Sequence, residues 1–84
     1  MSAVADEIRN FILTRYLPGE SPANLSNSLP LRTGGVLDSI ATLALVSFIE
    51  ERFGIEVEAH ETDVDNFDRI DDMVAFVERK QAQR

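Results

Sequence analysis

The sequence predicts an all-α four-helix bundle, built from three longer helices and one short one. Three observations predict it. Apolar residues recur at three- and four-residue spacing in three separate stretches. Gly and Pro gather between those stretches, where they punctuate the chain. No segment alternates apolar and polar residues for long enough to make a credible strand.

The first helix is expected from about Ala3 to Leu17. Val4, Ile8, Phe11, Ile12 and Tyr16 fall on one face, Asp6 and Glu7 suit the positive end of its dipole, and Pro18-Gly19 ends it. The stretch from Pro18 to Gly35 holds all three prolines with Ser, Asn and Gly between them, too many turn formers for a helix. Leu25, Leu29 and Leu31 are expected to pin this long loop onto the bundle. A loop of that length in so small a domain points to a recurring architecture.

A second helix is predicted over Ser39 to Phe53, with Asp38 or Ser39 as its cap and Gly54 as its left-handed stop. Ile55-Glu56-Val57 follows as a short extended connector, and one or two helical turns are expected near Thr62 to Asn66. The last helix is expected from about Arg69 to Lys80, with Asp68 as N-cap and Asp71 at the capping-box position. Ile70, Met73, Val74 and Val77 form its apolar stripe, and Arg79 and Lys80 fit the negative end of its dipole.

Composition bounds the function. The 84 residues allow one domain with a modest core, and 44% hydrophobic with 27% charged residues is ordinary for a folded soluble domain. The net charge of −7, from 15 acids against 8 bases, repels nucleic acid and anionic membrane and favours basic docking surfaces. The plainer reading of that charge is solubility. There is no cysteine, hence no disulfide, no thiolate metal site and no thiol of the chain's own to hold a thioester. With no apolar run long enough to span a membrane and no signal-peptide pattern, a cytoplasmic monomer is expected.

On a helical wheel the second helix has two apolar faces. Thr42, Leu45, Val46, Ile49 and Phe53 form the ordinary core face. Ile40, Leu43, Ala44 and Ser47 lie opposite, continued by Glu50 and Glu51. Either this helix is sandwiched on both sides, or the second face is exposed and rimmed by acids for a partner. Ser39 lies at the N-terminal end of that second face, which favours docking.

The segment Gly34-Gly35-Val36-Leu37-Asp38-Ser39-Ile40 is the most informative in the chain. Asp-Ser before a helix is by itself an ordinary cap. Here two glycines precede the serine, Leu37 and Ile40 flank it, and Glu50-Glu51-Arg52-Phe53-Gly54-Ile55 and Asn66-Phe67-Asp68-Arg69-Ile70 follow at fixed distance. In this order and spacing the chain resembles the acyl carrier protein family, peptidyl and aminoacyl carriers included, from the first helix to about Val77. The resemblance implies a right-handed four-helix bundle with Ser39 at the start of helix two. It also implies 4′-phosphopantetheine on Ser39, donated by coenzyme A through a phosphopantetheinyl transferase and magnesium. The imported thiol would hold an acyl or aminoacyl group as a thioester for a loading ligase and a downstream synthase or transferase. A phosphodiester there is favoured by the helix terminus, by about 0.3–1 kcal/mol. Asp38 is expected to help loading or simply to cap, and Ile40, Leu43, Ala44, Ser47, Glu50 and Glu51 to meet partners.

One departure stands out. Fatty-acid carriers place acids early in helix two, where this chain has Ala41, Thr42 and Ala44. A specialised carrier serving dedicated partners, not general fatty-acid synthesis, is therefore expected; the resemblance leaves its pathway among fatty-acid, lipid and secondary-metabolite synthesis, with its cargo left open. An enzyme is not: Ser39 lacks a Gly-x-Ser-x-Gly elbow, and His60, the one histidine, reads as a solvated loop residue. Gly34-Gly35 is followed by no Gly-Lys-Ser or Gly-Lys-Thr, so it is no phosphate-cradling loop. The acids from Asp63 to Asp68 have a faint calcium-loop look, but Phe67 and Asp68 occupy positions that need an oxygen ligand and a glycine. The competing reading is a helical interaction module that is never modified.

Overall fold

The computed structural model describes residues 3–83. Within them are four α-helices: α1 (Ala3–Tyr16), α2 (Ser39–Phe53), α3 (Val64–Phe67) and α4 (Ile70–Ala82), with 3₁₀ turns at Pro22–Asn24 and Ala59–Glu61. The all-α bundle of three longer helices and one short one is thus the observed fold. α4 packs against all three of its neighbours, and α1 also packs on α2.

Each helix buries the stripe its sequence provides, with shifts at the edges. In α1 the buried face is Ala5, Ile8, Ile12 and Leu13, so Val4, Phe11 and Tyr16 sit at its margin instead of its centre. In α2, Ala41 joins Thr42, Leu45, Val46 and Ile49 in the interior, while Phe53 is only partly buried. In α4, Phe76 enters the core beside Ile70, Met73 and Val77, and Val74 lies at the boundary. Phe76 meets the buried Phe67 ring, their centroids 5.3 Å apart.

The long loop is a working part of the core. Leu25 and Leu31 are fully buried, joined by Leu37, and each such side chain contributes about 1.5–3 kcal/mol by leaving water. Leu29 does not pin the loop; it is exposed. The loop's main chain is satisfied by distant groups, as packed backbone must be. Arg9 donates from Nε to the Leu25 carbonyl and from Nη2 to the Asn27 side chain. The Asp71 N–H donates to the Asn27 carbonyl, and Arg32 Nη1 to the Thr62 carbonyl.

Two capping expectations need correction. Arg69, not Asp68, is the N-cap of α4, and it makes no side-chain capping bond. Asp71 consequently does not complete a capping box. Asp68 turns its carboxylate away from α4 and onto the loop, where Arg32 and Thr33 offer it more donors than a helix start would. At the other expected caps, Asp38 caps α2 and Gly54 closes it in the left-handed region at φ 66°.

Candidate functional site

Ser39 is the first residue of α2 and is exposed. Asp38 just before it has extended backbone, and its Oδ1 accepts from the Ala41 N–H at 2.7 Å. The Asp38 carbonyl accepts from the Thr42 N–H at 2.9 Å and from Thr42 Oγ1 at 2.8 Å. The cap therefore takes two of the first four N–H groups of the helix. No hydrogen bond among the described residues engages the N–H groups of Ser39 and Ile40, which stand at the positive end of the dipole. Among the described residues no hydrogen bond engages the Ser39 hydroxyl.

The turn that leads into the serine is held from below. Asp68 Oδ1 accepts from the backbone N–H of Arg32 at 2.9 Å and of Thr33 at 3.0 Å, and Oδ2 accepts from Thr33 Oγ1 at 3.0 Å. The Asp68 carbonyl accepts from the Leu31 N–H at 2.8 Å, and the Leu31 carbonyl then accepts from Val36 and Leu37, both at 2.8 Å. Gly34 is required because a Cβ there would overlap the Pro30 carbonyl oxygen, and Gly35 because its φ is +84°. These hydrogen bonds, from the Thr33 N–H first, hold the Asp68 carboxyl below its ordinary pKa against the opposing effect of burial.

The second apolar face of α2 is open. Ile40 is 79% exposed and Leu43 61%, Ser47 and Glu51 are exposed, and Ala44 is half-buried. Of the two readings of this helix, burial on both sides is the one the structure removes. Glu50 differs from its neighbour: it is half-buried, and its Oε2 accepts from the Val57 N–H at 2.8 Å. Ser39, Asp38, Ile40 and Leu43 thus share one end of α2, while Glu51 stands about 18 Å along the axis from Ser39.

Other clusters lie away from this end. An open groove of about 400 Å³ runs between α1 and α2, lined by Phe11, Phe48, Arg15 and Arg52 among others. Phe11 and Phe48 in its lining are stacked, with centroids 4.4 Å apart. Glu58, His60 and Glu61 come together at the second 3₁₀ turn, but Glu61 is held by the Glu58 N–H at 3.0 Å and by Lys80 Nζ at 2.9 Å. The same two contacts, the backbone one first, lower the Glu61 pKa. At the acidic stretch, Phe67 is in the core and Asp63 caps α3 by accepting from the Asn66 N–H.

The residues missed from sequence are Arg32 and Thr33, with the role of Asp68. Their only sequence signal is that an acid stands immediately before a helix, which points to capping instead.

No protein-family model matches the chain. It is 33% identical over 73 residues to the protein described as "Probable acyl carrier protein PigG" from Serratia sp. (strain ATCC 39006), covering 87% of this chain and 83% of that one. That extent of identity, on an all-helical fold with an exposed serine opening its second helix, places the chain in the acyl carrier protein family.

Proposed function

We propose that this protein carries an acyl or aminoacyl group as a thioester on a 4′-phosphopantetheine arm attached to Ser39. The observation that carries the reading is Ser39 itself, exposed at the first position of α2, where its own N–H and that of Ile40 have no capping bond among the described residues. The residues fit the arm. Its phosphodiester would be favoured by the Ser39 and Ile40 N–H groups and the dipole of α2. The arm supplies the thiol that a chain without cysteine lacks.

The protein is then a substrate of enzymes rather than an enzyme, working in the cytoplasm. A phosphopantetheinyl transferase would load it, a ligase would charge it, and a synthase or transferase would take the cargo. Exposed Ile40 and Leu43, beside Asp38 and Ser39, offer these partners an apolar landing surface. The absence of acids in the first turn of α2 supports dedicated partners over those of general fatty-acid synthesis.

Intact mass after incubation with coenzyme A and a broad-specificity transferase tests the reading. One added phosphopantetheine is expected on the native chain and none on Ser39→Ala. An unchanged mass for the native chain would leave an unmodified interaction module as the better account.

A further inference from the structure

We propose that Asp68 is a positioning residue for the loading of Ser39, holding the turn that delivers the serine to the transferase. The inference rests on Ser39 being the attachment point. Asp68 binds the 31–37 turn with both its carboxylate and its carbonyl: Leu31, Arg32 and Thr33 all donate to it. The Leu31 carbonyl then ties down Val36 and Leu37, so the restraint reaches the residue before Asp38. The side chains of Leu31 and Leu37 are buried at the two ends of this closed turn.

The arrangement is not one that serves α4. That helix starts on Arg69 without any side-chain cap, although a carboxylate stands next to it. Nor does the body of α2 depend on Asp68, since Leu45 and Ile49 anchor it in the core. Releasing the turn would therefore leave α2 in the bundle and loosen its first residues. Loading forms a bond from Ser39 Oγ to phosphorus, breaks the phosphoanhydride bond of coenzyme A, releases adenosine bisphosphate and gives up the hydroxyl proton. A serine that spends only a fraction of its time correctly placed binds the transferase productively in that fraction alone.

The native protein, Asp68→Ala, Asp68→Asn and Val77→Ala are loaded by a broad-specificity transferase with coenzyme A, well below each melting range, and followed by intact mass. Asp68→Ala is expected to raise KM about tenfold with little change in kcat, the signature of a reduced competent population. Its amides from 31 to 40 should exchange faster. Asp68→Asn, whose Oδ1 can still accept both backbone N–H groups, should recover most of the rate. Val77→Ala weakens the core about two turns further along α4 than Ile70, and Val77 makes none of the hydrogen bonds that hold the turn; the variant should load like the native chain. Folded Asp68→Ala with native KM, or an equal loss in Val77→Ala, overturns the proposal. If Asp68→Ala does not fold, Thr33→Val decides: a several-fold rise in KM supports it and a native KM overturns it. A native chain that gains no mass removes the attachment assignment, and this inference with it; a loaded native chain with indifferent variants removes this inference alone.

Discussion

The Glu50 carboxylate accepts a hydrogen bond from the Val57 backbone N–H, 2.8 Å from Oε2, and so ties the end of α2 to the connector beyond it. Glu51, its neighbour, is exposed. Two adjacent acids of the same type thus have different physical settings. Glu50→Ala removes an ionised acceptor from a part-buried N–H and should cost about 1–2 kcal/mol of stability. Glu51→Ala should stay within about 0.5 kcal/mol. Urea unfolding of the two variants checks this, with equal costs counting against a structural role for Glu50.

Acid should weaken the fold through Asp68 and Glu61. Both have depressed pKa values, Asp68 through the Thr33 N–H first and Glu61 through the Glu58 N–H first. A depressed carboxylate binds protons more weakly folded than unfolded. Its contribution is therefore complete above the unfolded value, about pH 4, and is lost as pH falls through the lower folded value. Denaturant unfolding from pH 6 down to pH 2 should show stability falling below about pH 4. Asp68→Asn should flatten that fall, and a slope identical to the native one would exclude Asp68 as a contributor.

The helices were legible because their determinants are local. Ser39 to Phe53 carries its own cap, its own left-handed glycine and a continuous apolar face, and the structure reproduces those bounds. The rotation of the α1 stripe toward Leu13 was not legible, because Val4 and Phe11 fit the same period and only the packing of α1 against α4 and α2 selects between the two faces. Asp68 failed for a related reason. Its donors, Arg32 and Thr33, are distant in sequence, and no spacing rule connects an acid before one helix to the turn before another. The acidic rim on α2 was half legible: charge pattern identifies Glu50 and Glu51 together, but only the path of the connector half-buries Glu50 and engages its carboxylate.

Ile40 and Leu43 should matter for docking and not for folding. At 79% and 61% exposed they contribute little to the core, so Ile40→Ser and Leu43→Ser should change stability by less than about 0.5 kcal/mol. Ile49→Ala, about two turns further along but fully buried, should cost about 2–5 kcal/mol. With a broad-specificity transferase as the probe, both surface variants should raise KM at full stability. A native KM in the double variant would mean that this face does not take part in loading.

Asp38 has two carboxylate oxygens in different settings, which substitution can separate. Oδ1 caps α2 on the Ala41 N–H, whereas Oδ2 makes no hydrogen bond among the described residues and the side chain is exposed. One oxygen is structural; on the proposed function the other would be available to a basic surface or the metal of the transferase. Asp38→Ala loses both and should cost about 1 kcal/mol, a fall in Tm of about 4–8 °C for a domain of this size. Asp38→Asn keeps a capping oxygen and should melt within a degree or two of the native chain, since Asn and Asp cap about equally well. Loading separates the charge from the cap. Asp38→Asn should load more slowly than the native chain despite its preserved stability, because it lacks the negative charge beside Ser39. Native loading by Asp38→Asn would assign Asp38 to the cap alone.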